Sequence, residues 1–273
     1  MKQPNPNIKP ATFEYHRFLD EAGDPTFYGK GRIRVVGTEG VSRAFILGML
    51  KINEPLGPVR NRVVELQNLI GSDGYFRDVP SITRKRENNG YFLHAKDDIP
   101  EVRKMAFDLI RGINCSFEAI VARKIYDIFE TQHEGKETLF YADLLSHLLK
   151  SKLEKYDKLV LNIARRNKCT SEVNLPIGWE KAKERSLKKS PEKEHACTIV
   201  FNVQEPTTEP LINIADYFCW AVQRVFEKGE TRFYDYISDQ VALVVDLYDT
   251  DHYRKGENFY TRRKKLTKDN LLK

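Results

Sequence analysis

The 273-residue chain is poor in sulfur and has no long apolar stretch, with only four cysteines, three methionines and two tryptophans. Its longest hydrophobic runs, AFILGML and VALVV, fall far short of the roughly 20 residues that cross a bilayer, so no membrane partner is expected. The start, MKQPNPNIKPA, has no apolar core of the kind a signal peptide needs. Residues 1–11 therefore read as a flexible N-terminal arm, and a cytoplasmic location is the expectation. Cys115, Cys169, Cys197 and Cys219 are scattered, without a CxxC pair or a nearby His at metal-ligand spacing, which argues against a structural zinc and against a disulfide framework. An acidic surplus is also missing: 45 Lys and Arg stand against 39 Asp and Glu, giving a formal charge of +6 and a pI near 9.0. The excess is concentrated. Residues 165–193 carry nine Lys/Arg against four Glu, and residues 254–273 carry eight against Glu257 and Asp269. Such runs are either solvated faces or the footprint of an anionic partner.

The pattern of what remains is that of a mixed α/β protein. Alternation marks Glu14 to Asp20 as a strand closed by the turn Gly23-Asp24-Pro25, and RAFILGMLK, Arg43 to Lys51, as a second. The glycine-rich connection leaves room for a short strand around Ile33 to Val36. Val59, Val63, Leu66 and Ile70 fall at helical spacing before Gly71, and a polar stretch, Ser72 to Gly90, follows as a long loop. A helix starts near Pro100, with Asp98 as candidate N-cap and Gly112 at its end. Further strands are expected at Cys115 to Ile125, Lys158 to Ala164, Cys197 to Gln204 and Val241 to Tyr248. Helices are expected at Glu137 to Tyr156, Trp179 to Leu187 and Leu211 to Glu227. Strands that begin as a meander and later alternate with helices predict a mixed β-sheet flanked by helices. One domain is expected over residues 12–250, with a basic helical insertion at 165–195 and a basic C-terminal tail at 251–273. No repeat of fixed period is visible.

Three stretches carry candidate chemistry. RFLDEAGDPTFYG places Asp20, Glu21 and Asp24 within five positions. On a regular strand Asp20 shares a face with Phe18 while Glu21 points the other way, and Asp24, before Pro25, suits a turn for local reasons. A lone acid at a strand end is most simply a turn former, so a second buried acid is needed to make a site. Asp216, in INIADYFCW, lies in the most apolar helical segment, where an unpartnered carboxylate would cost several kcal/mol. It therefore calls for a cation, unless it lies on an exposed stripe or pairs with Arg224. YFLHAKDD sets His94, Lys96 and Asp97 just ahead of a helix start, where His and Lys can hold phosphate or position a water, and where Asp97 and Asp98 can equally act as caps.

LDEAGD, LHAKD and INIADYFCWAVQR, in that order, resemble the bacterial family known as domain of unknown function 3800, whose members look like ribonuclease H-type proteins. The likeness spans roughly Tyr15 to Glu227. The family's first strand usually reads D-E-S-G-D, with Ala22 here in place of the serine, and its late helix carries the Ala-Asp pair matched by Ala215 and Asp216. The resemblance implies a ribonuclease H-like mixed sheet in which the first strand is central and the late helix brings Asp216 over the end carrying Asp20. It departs at the middle strand, where many relatives carry an acid before the paired arginines and this chain has Ala164 before Arg165 and Arg166. After the next strand, relatives tend to have a serine and a lysine; here the residues are Gln204, Glu205 and Pro206.

The implied chemistry is metal-dependent hydrolysis of phosphodiesters in nucleic acid, DNA or RNA, with two Mg²⁺ or Mn²⁺ ions about 4 Å apart. Asp20 and Asp216 would be metal ligands and Glu21 a further acid. Glu205, or Glu118, would replace the missing acid, and His94 and Lys96 would contact the scissile phosphate or assist proton transfer. Arg165, Arg166 and Lys168 would track the nucleic-acid backbone. The competing expectations are a catalytically silent ribonuclease H-like module that binds nucleic acid or protein, and a hydrolase of small phosphoesters.

Overall fold

A computed structural model describes residues 13–88, 90–165, 174–189 and 197–272. Its centre is a seven-stranded mixed sheet in the order β5-β4-β1-β2-β3-β6-β7. Strands β1 (Glu14–Ala22), β2 (Ala44–Ile52) and β3 (Cys115–Arg123) form an antiparallel meander. On the far side of β1, β4 (Lys158–Ala164) runs parallel to it and β5 (Thr198–Gln204) parallel to β4. On the far side of β3, β6 (Val241–Asp246) is parallel and β7 (Phe259–Tyr260) antiparallel to its neighbour. The sequences fit these positions. β2, AFILGMLKI, is apolar almost throughout because both of its faces are covered, whereas the edge strand β5 alternates between exposed and half-buried residues.

Helices cover both faces. On one lie α1 (Leu56–Ser72), α2 (Pro80–Asn88), α3 (Pro100–Arg111), α7 (Pro210–Lys228) and α8 (Arg232–Ile237), packed on Phe18, Ile46, Leu50 and Phe117. On the other lie α4 (Tyr126–His133), α5 (Glu137–Leu149) and α6 (Asn174–Lys189), packed on Leu19, Leu47 and Leu161.

Several elements depart from the sequence reading, and in α2 the reason is burial confined to one stripe of a polar segment. The expected loop Ser72 to Gly90 contains α2, whose buried residues are Ile82 and Lys85, three apart on one face. The third strand stops at Arg123 and α4 follows; α5 ends at Leu149; Ile33 to Val36 is no strand, its neighbourhood contributing only a bridge between Tyr28 and Arg34. The C-terminal segment read as a tail is packed: its cations face outward, but Tyr260 and Leu266 are buried and the Leu272 N–H donates to the Phe226 carbonyl at 2.8 Å. The part of the basic insertion described here, α6, is a structural layer. Gly178 meets α5 so closely that an added Cβ would lie 2.8 Å from a Leu145 methyl, and Arg185 donates to Asp143 at 2.7 Å.

α7 lies very close to the sheet at Gly48. A Cβ on Gly48 would lie 2.4 Å from the Cys219 sulfur and 2.4 Å from the Phe117 ring, so the helix can settle there only over a residue without a side chain. Gly48 pairs with Asp20 across β1 and β2, and the Cys219 thiol donates to the Asp20 carbonyl at 3.2 Å. Gly48→Ala is expected to lower stability by roughly 1–3 kcal/mol, the cost of overpacking a filled core. Urea unfolding measures this, and an unchanged midpoint would show that α7 is not seated on the sheet in this way.

Candidate functional site

β1 leaves the sheet through a turn that fixes everything around its end. Gly23 has φ of +87°, and a Cβ there would lie 2.5 Å from the Ala44 carbonyl oxygen, so the turn requires glycine. Asp24 holds the turn together. One carboxylate oxygen accepts from the Ser42 N–H at 2.8 Å and hydroxyl at 2.9 Å, the other from the Thr26 N–H and the Lys124 ammonium, each at 3.0 Å. Burial raises the Asp24 pKa, but the Ser42 and Lys124 contacts outweigh it and the net shift is downward. Asp24 is thus a turn residue, as its place before Pro25 suggested.

Asp20 and Glu21 precede this turn. Asp20 is half-buried and its Oδ1 accepts from the Glu21 N–H at 2.8 Å; Glu21 is buried. Burial first, and then the charges of Asp20, Asp216 and Glu21, push the Cys219 thiol well above its ordinary pKa.

The segment between α2 and α3 is organised by Asp98, which is buried. Lys85 Nζ and the Tyr91 hydroxyl donate to its Oδ1 at 3.2 and 2.8 Å, and the His94 N–H and Tyr217 hydroxyl to its Oδ2, each at 2.7 Å. The cap of α3 is instead Ile99, with Pro100 opening the helix. Held in this way, the next N–H, that of Ala95, donates to Asp216 Oδ2 at 2.7 Å. Arg103 tightens the segment further, donating to the Ala95 and Lys96 carbonyls at 2.7 and 3.2 Å while lying over the Trp220 ring at 4.8 Å. His94 Nδ1 lies 3.2 Å from Asp97 Oδ2, a close contact without hydrogen-bond geometry.

These elements enclose a cavity of about 560 Å³ lined by Glu21, His94, Lys96, Asp216, Trp220 and Gln223 among others. Asp216 is 8% exposed, and burial raises its pKa against the opposing pull of His94 and the Ala95 N–H. The structure thus brings together four of the five residues singled out for catalysis, with Asp20 beside them. Glu205 does not line the cavity; it is exposed and pairs with Arg165 at 2.9 Å. Glu118 pairs with Lys152 at the other end of the sheet. Arg166 and Lys168 lie outside the described residues, and the cations of α6 sit on the sheet face opposite α7 and do not line the cavity. Sequence reasoning missed the roles of Asp98, Lys85 and Tyr217. The burial of Lys85 that accompanies them is a product of folding and leaves no mark in the polar stretch that contains it.

Among the described residues no group of three or more His, Cys, Asp or Glu forms a metal-binding cluster. Of the other carboxylates on the cavity wall, Asp24 is committed to the turn, Glu227 accepts from the N–H groups of Arg43 and Ala44 at 2.6 and 2.8 Å, and Glu39 is exposed. Mg²⁺ is commonly held by one or two carboxylates with water completing its shell. The described part of the cavity wall thus offers Glu21 and Asp216 as its remaining buried carboxylates, too few to cage a pair of divalent ions.

No protein-family model matches the chain, and no curated protein is similar to it in sequence. Two outcomes check the geometry. Asp98→Ala leaves Lys85 buried without its carboxylate, and a chemical unfolding curve should show a loss of about 3–5 kcal/mol; a loss below about 1 kcal/mol would mean that Asp98 does not organise this segment. Because folding raises the Asp216 pKa, the native state binds its proton more tightly than the unfolded chain does. Stability contributed by that proton is present below the unfolded pKa and lost as pH rises through the folded one. Asp216→Asn keeps an acceptor for the Ala95 N–H without this loss. In chelator it should match wild type in acid and be the more stable of the two in alkali. Thermal melting across that range decides; a wild type more stable than the variant at the higher pH would contradict a raised pKa.

Proposed function

We propose that this protein is a metal-dependent nuclease with a ribonuclease H-like fold, hydrolysing phosphodiester bonds in DNA or RNA. The observation that carries the proposal is the convergence of Glu21, His94, Lys96 and Asp216 on one cavity from three distant stretches of chain, with Asp20 beside it. Supporting the fold assignment, β1 is internal to the sheet between β2 and β4, and α7 crosses it. Asp216 and Glu21 would hold one Mg²⁺ or Mn²⁺, with Asp20 completing or steadying the set. When bound, such an ion supplies a Lewis acid for a phosphoryl oxygen and lowers the pKa of a coordinated water.

The remaining roles belong to the chain. Lys96, exposed at the cavity, together with Arg43 and Lys228 on its wall, presents positive charge to a phosphate backbone. His94, on the same wall and in reach of Asp97, is placed to take or return a proton. Trp220 is a structural part of the wall, 7% exposed and packed by Arg103 at 4.8 Å, Arg224 at 5.6 Å and Phe233 at 4.6 Å. The wide cavity, bounded by the glycine-bearing loop at residues 37–40, suits a polymer better than a small closed-in ester.

The test is cleavage of labelled single- and double-stranded DNA and RNA with Mg²⁺, with Mn²⁺ and with chelator. Cleavage should need the divalent ion and fall roughly 100-fold or more in Asp216→Asn, with losses also in Asp20→Asn and Glu21→Gln. Activity that survives Asp216→Asn or chelation would refute the proposal. Salt-sensitive nucleic-acid binding without any cleavage would favour the catalytically silent module instead.

A further inference from the structure

A second cavity, about 370 Å³ in volume, lies at the opposite end of the sheet, where β1 begins and β2 ends. Five cations line it, Arg17, Lys51, Lys152, Lys155 and Arg262, against one carboxylate, Glu118. Arg17 and Lys152 are buried, at 4% and 6% exposure. Glu118 is engaged by Lys152, which donates to both of its oxygens at 2.7 and 2.6 Å. Arg17 has no carboxylate partner among the described residues. Its guanidinium donates to the His16 carbonyl at 2.8 Å and to the Tyr156 hydroxyl, and it lies over the Tyr156 ring at 4.8 Å. These contacts hold the group in place, and burial lowers its pKa from the ordinary arginine value against the opposing pull of Tyr156 and Glu118. Lys51, Lys155 and Arg262 are exposed around it.

Five cations share the single negative charge of Glu118, so two of them are buried in a surplus of like charge and all repel one another. The arrangement is relieved by an anion of more than one charge. The guanidinium fork suits phosphate oxygens, lysines serve as point charges for them, and Ser116 and Asn53 on the same wall supply neutral donors. We infer that this cavity binds a phosphate-bearing small molecule with at least two linked phosphates, read through its phosphate groups by Arg17, Lys51, Lys152, Lys155 and Arg262. The ligand is either free pyrophosphate or the diphosphate of a nucleotide. This site is separate from the cavity that holds Asp216 and does not depend on the nuclease assignment.

The experiment is calorimetric titration of the full chain at low salt, with chelator present so that no divalent ion bridges ligand to the carboxylates. Pyrophosphate, a nucleoside diphosphate and a short single-stranded oligonucleotide are the three probes. One-to-one binding of pyrophosphate is expected, weakened at least tenfold in the surface variant Lys51→Gln/Lys155→Gln and in Arg17→Gln, and unchanged in Asp216→Asn. The surface variant keeps the test valid should Arg17→Gln fail to fold. Equal affinity for pyrophosphate and the nucleoside diphosphate identifies the phosphates alone as the ligand; tighter binding of the nucleoside diphosphate identifies a nucleotide. Three results would overturn the inference: no binding of either small probe at about 1 mM, a threshold near −4 kcal/mol; binding that the Lys51/Lys155 variant leaves intact; or binding by the oligonucleotide alone.

Discussion

The arrangement of the candidate site depends on one steric allowance, the absence of a side chain at Gly48. Because Cys219 and Phe117 both crowd the position a Cβ would occupy, α7 lies close on β1 and β2 there. That seating sets the rotation of the helix, and the rotation sorts its residues. Asp216, Trp220, Gln223, Arg224 and Glu227 follow helical spacing along one stripe and line the cavity. Ile214, Phe218, Val222 and Val225 take the opposite stripe and are fully buried. Tyr217, between the two, reaches Asp98. A helix that is apolar nearly all round can carry one acid into the interior only where its polar stripe meets a gap between the sheet end and the 91–98 segment. The cavity is that gap.

Asp98 and Asp216 show how differently two buried carboxylates can be treated within one small region. Asp98 is given four donors, one of them charged, and serves as a fixed post for the chain that follows. Asp216 is given a backbone N–H from that same chain, and burial pushes its pKa up. A carboxylate saturated by donors is a structural element; one desolvated in a cavity wall with further acids nearby is in the state that a cation or a proton would relieve. The first makes the second possible, since the hydrogen bonds that pin His94 also present the Ala95 N–H to Asp216.

What was legible in the sequence follows from where burial is complete. KLVLNIA marked β4 at its observed bounds because that strand is covered on both faces, and LINIADYFCWAVQRVFE marked α7 for the same reason. α2 and the C-terminal segment read as loop and tail, since each buries only two or three residues within a charged stretch. At the site, strand alternation separated Asp20 from Glu21, and the pairing of Asp20 with Gly48 and Glu21 with Leu47 keeps them on different faces. Yet Glu21 lines the cavity with Asp216, because β1 leaves the sheet immediately afterwards at Gly23. Asp98 reads as a cap since an acid before Pro100 satisfies a local rule; two of its four donors, Lys85 and Tyr217, are 13 and 119 residues away, and folding alone brings them in.

The same strand links the acidic and basic cavities. β1 carries Arg17 near its start and Glu21 near its end, on one face and separated by Leu19, which is packed in the core. Burying either charge in mid-sheet would leave it with no access to solvent or ligand, so the chain can hold them only where the strand emerges from its neighbours. β2, running antiparallel alongside, meets that requirement at both ends: Arg43 and the Ser42 turn beside the acids, Lys51 and Asn53 beside Arg17. Opposite charges at opposite ends of one apolar sheet are thus a consequence of its core being closed to ions, and each end becomes a place where a ligand of the opposite sign lowers the energy of the fold itself.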